Sequence, residues 1–287
     1  MTALDDLWDF DDPAASEARF REAITAADGA GDAAARDEGR TQLARSLGLQ
    51  GRFAEGDAAL DTVDAAHPAE DRVRVRARLE RGRLRRSGGD APASVAHFEA
   101  AWALALTLGE DGLAVDAAHM LAIVDAAPGE STWHERALAL AEGSPDPAAR
   151  RWRGSLWNNI GWARFEASDH EGALAAFETA LAARREQGKP SETRIAEWCV
   201  ARALRALGRP EEALAILLRI LGEAASAGDA EDGYVSEEIG ECLLVLGRAD
   251  DARPAFARAA ALLGADAALV EQEPARIARL RELGTGG

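Results

Sequence analysis

The chain has 287 residues with 33 basic and 50 acidic side chains, a net charge of −17, and 47% of its residues are hydrophobic. That charge opposes nucleic-acid phosphate and anionic lipid, so neither nucleic acid nor a membrane is an expected partner unless basic residues gather locally. Ten prolines, two cysteines and abundant alanine exclude a disulfide scaffold and disfavour a β-sandwich, leaving an all-α chain with enough apolar residues for a sizeable core.

In chain order, Met1–Asp12 (MTALDDLWDFDD) comes first, with five aspartates and no basic residue. It does not read as a secretory signal or a mitochondrial presequence, and no window of about 18 uncharged apolar residues follows, so a cytoplasmic protein is expected. Residues 1–12 form an acidic-aromatic segment. Its Trp8 and Phe10 either staple the first helix pair or dock on arginines of the same or another copy. Pro13 to Ala27 is predicted to be a helix, with Asp12 as its cap and Pro13 in its first turn.

Beyond it, apolar residues recur at three- and four-residue spacing, broken by Gly51-Arg52, Gly88-Gly89-Asp90, Gly208-Arg209-Pro210 and Gly247-Arg248. The breaks themselves repeat. Trp157-Asn158-Asn159-Ile160-Gly161, followed by Ala173, Phe177, Ala180 and Leu181, sets the pattern. Leu43-Ala44 with Gly51 and Leu60 matches it, as do Gly82 with Phe98 and Ala101, Val200-Ala201 with Ala213 and Leu217, and Gly240 with Ala252, Phe256 and Ala259. A weaker repeat has Ala117-Ala118 in its first helix and Glu130 to Ala141 as its second. In this pattern Gly161 and Gly240 allow close helix approach, and Phe98, Phe177 and Phe256 fill the gap between one repeat and the next.

These residues resemble the tetratricopeptide repeat (TPR) signature. Equivalent small residues lie 36 to 43 apart, longer than the usual repeat of about 34 residues, and similar to the long repeats of kinesin light chains and bacterial TPR regulators. The resemblance implies a right-handed superhelix, an α-solenoid of about six TPR helix pairs with N- and C-terminal capping helices. A single domain is expected over residues 13–283, with repeats at about 31–68, 69–109, 110–144, 146–188, 190–227 and 229–264, a capping helix at 273–283 and a disordered tail at 284–287. The Ala/Arg-rich composition, with Lys189 as the only lysine, suggests a bacterial source.

Enzyme signatures are absent: no nucleophile elbow, phosphate loop, dinucleotide fingerprint or zinc-helix motif occurs. The five histidines are scattered. His119, three residues after Asp116, reads as a paired or solvated side chain, and Glu237-Glu238 as helix surface. Cys199 and Cys242 read as reduced, packed thiols. No catalytic residue, metal site or cofactor is expected.

In a TPR array the first helix of each repeat lines the concave face. The ligand-facing stripe then takes Thr41 and Arg45; Arg76, Arg83 and Arg86; Val115 and His119; Asn158 and Trp162; Trp198, Arg202 and Arg205; and Tyr234, Glu237 and Glu241. This groove is basic at one end, aromatic in the middle and acidic at the other. Its basic end rests on Arg72 to Arg86, eight arginines in fifteen residues. At about 100° per residue, Arg72, Arg76, Arg83 and Arg86 share one arc of that helix and Arg74, Arg78, Arg81 and Arg85 the opposite one. The inner row either holds carboxylates or phosphates of a ligand or pairs across the groove with the chain's own acids; the outer row reads as surface charge. Trp157 occupies a core position, while Trp162 and Trp198 align to the groove as flat contact surfaces. Similar bacterial peptide receptors hold a peptide backbone with asparagines, which implies that role for Asn158.

The resulting expectation is a non-enzymatic protein-interaction scaffold that binds an extended, partly acidic peptide or protein segment in the groove. The alternatives are a structural TPR protein that self-assembles, for example as a homodimer, and a sensor or regulator subunit that binds a signalling peptide or small anion.

Overall fold

The computed structural model describes residues 4–66, 72–124 and 132–285, and every regular element among them is helical. After a 3-10 turn at Leu4–Leu7 come α1 (Pro13–Gly29), α2 (Ala33–Leu49), α3 (Phe53–Ala66), α4 (Arg72–Ser87), α5 (Ala91–Leu108), α6 (Asp111–Val124), α7 (Trp133–Gly143) and α8 (Pro147–Arg150). Then follow α9 (Arg153–Glu166), α10 (His170–Gln187), α11 (Pro190–Ala206), α12 (Pro210–Ala227), α13 (Gly233–Val245), α14 (Ala249–Leu263), α15 (Ala267–Gln272) and α16 (Pro274–Thr285). Glu130, read from sequence as the start of a second helix, and the last two residues of the expected tail lie outside the described residues. Gly284 and Thr285, also assigned to that tail, belong to α16.

Aspartate sets many of the helix starts. The side chains of Asp12, Asp32, Asp90, Asp169 and Asp266 accept hydrogen bonds from first-turn backbone N–H groups, satisfying donors that have no partner within the helix. Part of the chain's acidity is therefore structural. The turns within helix pairs are equally regular. Arg52, Asp90, Asp169, Arg209 and Arg248 each donate their backbone N–H to the carbonyl five residues earlier at 2.9 Å, a C-terminal cap that needs one left-handed residue. Glycine supplies it at Gly51, Gly89, Gly208 and Gly247; after α9 the residue is Ser168, at φ 62°.

The glycines within first helices have another cause. A Cβ on Gly240 would stand 2.8 Å from the Phe256 ring, and Cβ atoms on Gly82 and Gly161 would come closer still to Phe98 and Phe177. All three rings are fully buried. Each phenylalanine thus lies over the glycine of its own pair, not only in the gap to the next repeat, and one contact fixes the spacing of both helices.

The chain divides into two compact units, Met1–Arg153 and Gly154–Gly287. In the first, consecutive helices pack from α1 to α8, and α4 neighbours α2 and α6 directly. Its core runs through Leu60, Leu79, Phe98 and Leu121. In the second, the core runs from Phe177 through Cys199, Leu217 and Phe256 to Ile277 and Leu280, so α16 covers the apolar edge of α14. Trp157 is only part-buried, and the core position beside it belongs to Leu156. Among the described residues no helix is long and apolar enough to cross a membrane.

Candidate functional site

In the N-terminal unit the first helices α2 and α4 present the arginines singled out in the sequence, and α6 presents Asp116 and His119. The arginines meet acids that are buried (Glu80, Asp116) or part-buried (Glu38, Glu110). Arg83 donates to Asp116 at 2.5 Å and to Glu80, while Arg45 reaches Glu80 only loosely, at 4.0 Å. Arg76 pairs with Glu38 at 2.9 Å, and Arg72 with Glu38 at 3.6 Å and Glu110 at 2.9 Å. Burial would raise the Asp116 pKa, but Arg83 and Arg45 hold it below the usual range. The pKa of Arg45 is lowered, chiefly by the like charge of Arg83 and then by burial. His119 stands over Trp152, ring centroids 5.1 Å apart. Burial pushes its pKa down to about 4 against the pull of Asp116. Arg86 is exposed and, among the described residues, has no ion pair.

The C-terminal unit holds the aromatic row. Trp162 packs on Phe177 and Phe165, centroids 5.2 and 5.5 Å apart, and on Trp198 at 5.9 Å. The Arg202 guanidinium sits among these rings, 5.6 Å from the Trp198 centroid and 5.7 Å from those of Trp162 and Phe165. Arg202 also pairs with Glu238 at 3.3 Å, and Arg205 grips the same carboxylate. Glu237 is paired with Arg276, at 2.5 Å, and the Arg276 guanidinium lies 5.1 Å from the Tyr234 ring. Asn158 accepts a hydrogen bond from the Cys199 thiol at 3.3 Å. Burial pushes that thiol to about 12, so its proton stays available to donate.

Beside Trp198 opens a cavity of about 500 Å³. Ile195 and Trp198 of α11, Ile220 and Leu221 of α12, and Tyr234 and Val235 of α13 give it an apolar wall, with Arg194, Glu231 and Asp232 among its polar lining. Ile195 is 56% and Tyr234 39% exposed. The Trp198 indole N–H donates to the Tyr234 carbonyl at 3.2 Å, which ties α11 to α13 at the cavity's edge.

Three readings of the sequence are corrected here. Glu237 and Glu238 are not helix surface: both are buried, Glu238 to 1% exposure, because each neutralises an arginine. The outer arginine row of α4 is not simply surface charge, since Arg81 binds Asp57, Asp61 and Asp64 of α3 at 2.6 to 3.2 Å and Arg85 binds Asp57 at 2.9 Å. The basic and acidic ends of the stripe are largely compensated by local partners. Glu80, Asp116 and Glu238, which do this, were not singled out as charge partners. Their signal was spacing: Arg83–Asp116 and Arg205–Glu238 are 33 residues apart, Arg202–Glu238 36 and Arg276–Glu237 39, about one repeat each.

The fold is that of a tetratricopeptide repeat protein, as the glycine–phenylalanine contacts within successive helix pairs indicate. Among solved structures, BtubC (BKLC) from P. vanneervenii is similar at TM-score 0.59 and 16% identity, over 81% of this chain and 95% of that one. A chain of the APC/C hetero-tetramer Cut9-Hcn1 is similar at TM-score 0.53 and 13% identity, over 89% of this chain and 45% of that one. No family model matches the sequence, and no curated protein matches it.

Proposed function

We propose that the chain is a protein-interaction scaffold that binds an extended protein segment through side chains of its first helices. One large apolar side chain of that segment sits in the cavity between α11, α12 and α13. The cavity carries the reading: about 500 Å³ of open, mainly apolar space bordered by the exposed faces of Ile195 and Tyr234 is a place where a partner's side chain can leave water. Asn158, whose carbonyl oxygen is engaged by Cys199, keeps its amide N–H groups as donors to a peptide backbone. The arginine row supports a smaller acidic preference. Arg83 is committed to Asp116 and Glu80, so Arg86 is the inner arginine that meets a partner's carboxylate. At the level of fold, a chain of the APC/C hetero-tetramer Cut9-Hcn1 has a similar helix-pair array within an assembly.

A peptide array probed with the wild type, Ile195→Asp and Arg86→Glu tests this. Peptides kept by the wild type should share a large apolar residue; Ile195→Asp should lose most of them, and Arg86→Glu only those with acidic residues. Undiminished binding by Ile195→Asp would sink the cavity as the anchor.

The compensation of charge along the first helices favours a second reading, self-assembly through outer faces or ends. Sedimentation equilibrium separates the two: a concentration-dependent dimer that retains no array peptide supports assembly, and a monomer that retains peptides supports the scaffold.

A further inference from the structure

Residues 4–12 lie on α1 and α2 in the manner of a bound segment. The Leu4–Leu7 turn and Trp8 pack against Phe20, Leu43 and Leu47. The Trp8 indole N–H donates to Gln42 Oε1 at 2.9 Å. Its ring meets Phe20 edge-on, centroids 4.9 Å apart, and stacks flat on Phe10 at 4.8 Å and 2°. The Arg45 guanidinium stands 5.5 Å from the centroids of both Trp8 and Phe10. Ser16 Oγ accepts from the Asp9 N–H at 2.8 Å and donates to the Asp9 carbonyl at 2.9 Å, and Arg19 donates to the Leu7 carbonyl at 3.2 Å. All of these docking contacts fall on α1 or α2.

Two features distinguish this from ordinary core packing. Phe10 is 60% exposed, so its place is set by stacking on Trp8 and by Arg45 rather than by burial. Arg45, in turn, is poorly served by the fold itself. Its ion pair with Glu80 spans 4.0 Å, Glu80 bonds Arg83 much more tightly, and the charge of Arg83 repels Arg45. A cation left in that position is met well by two aromatic faces. The docked segment brings both faces, since Trp8 and Phe10 are spaced two apart, while its Asp9 and Asp12 carboxylates accept from backbone N–H groups of the segment and of α1.

We infer that α1 and α2, through Gln42 and Arg45, form a binding site for a segment carrying two aromatic residues in the pattern aromatic-x-aromatic, and that this chain's own residues 4–12 occupy it as a displaceable ligand. The same segment of a second copy of this chain competes with the one in cis. Its attachment to α1 gives the resident segment a high effective concentration, so the site is closed to weak competitors.

The test uses the full chain and a fluorescently labelled peptide of residues 4–12, LDDLWDFDD, read by anisotropy. The wild type should bind it weakly. The double variant Trp8→Ala/Phe10→Ala should keep its helical circular dichroism and bind the peptide at least about tenfold more tightly, and adding Arg45→Ala should reverse that gain by about tenfold. Adding Ile195→Asp should leave the gain intact, which separates this site from the cavity on α11. A double variant that binds no better than the wild type, or that unfolds, would show the segment to be part of the core and overturn the inference, as would binding unaffected by Arg45→Ala.

Discussion

Glu238 is 1% exposed and carries Arg202 and Arg205, which keep part of their surface in water. Removing a buried carboxylate of this kind leaves two guanidinium groups without their counter-charge and opens a small cavity. Glu238→Ala should therefore cost about 2–3 kcal/mol of stability in urea titrations, more than the loss of an exposed i,i+3 partner such as Glu212. His119 makes a pH-dependent contribution of opposite origin. Its folded pKa of about 4 lies below the 6.5 of the free side chain, so between those values the unfolded chain takes up a proton that the folded one refuses. Stability should fall as pH is lowered from 6.5 toward 4, by up to about 1 kcal/mol per pH unit from this group. Asp116, held low by Arg83 and Arg45 against its burial, adds a loss at still lower pH, as it is protonated through its depressed folded pKa. In His119→Gln the decline between 6.5 and 4 should flatten; an unchanged slope in pH-dependent unfolding would show that His119 is not the group responsible.

At the scale of the element, the turn after α9 uses Ser168 where its counterparts use glycine. A left-handed non-glycine residue costs about 1 kcal/mol, so Ser168→Gly should raise the urea midpoint by a corresponding amount. Gly161→Ala should do the reverse, losing about 1–3 kcal/mol, because the added methyl would run into the Phe177 ring. The glycine turns and the recurrence of Gly161 and Phe177 were legible in the sequence, because those residue types recur at one spacing; that each ring lies on the glycine of its own pair was not. Nor were the ion pairs. Helical periodicity placed Arg76, Arg83, Arg202 and Arg205 on the inner face, but their partners lie on the neighbouring first helix, one repeat away, where no local pattern links them. The cavity beside Trp198 was illegible for a different reason. It is lined by Ile220, Leu221 and Ala224 of α12 together with Ala230, Glu231 and Asp232 ahead of α13, and unfilled space has no residue signature.

For the molecule as a whole, a net charge of −17 coexists with arginines that are mostly spoken for. Some acids cap helices and others neutralise the inner arginines, so the attraction for an acidic partner is confined to few positions, with Arg86 foremost. If the chain binds an extended segment as proposed, its affinity should come mainly from apolar contacts with Ile195, Trp198 and Tyr234. The most direct test is the salt dependence of binding, by isothermal titration with the tightest peptide from the array between about 50 mM and 500 mM sodium chloride, roughly a tenfold range in ionic strength. One exposed ion pair is worth up to about 1 kcal/mol, so affinity should drop by less than about fivefold. A loss of two orders of magnitude or more would mean that several arginines release their internal partners to hold the ligand, and would contradict an apolar anchor.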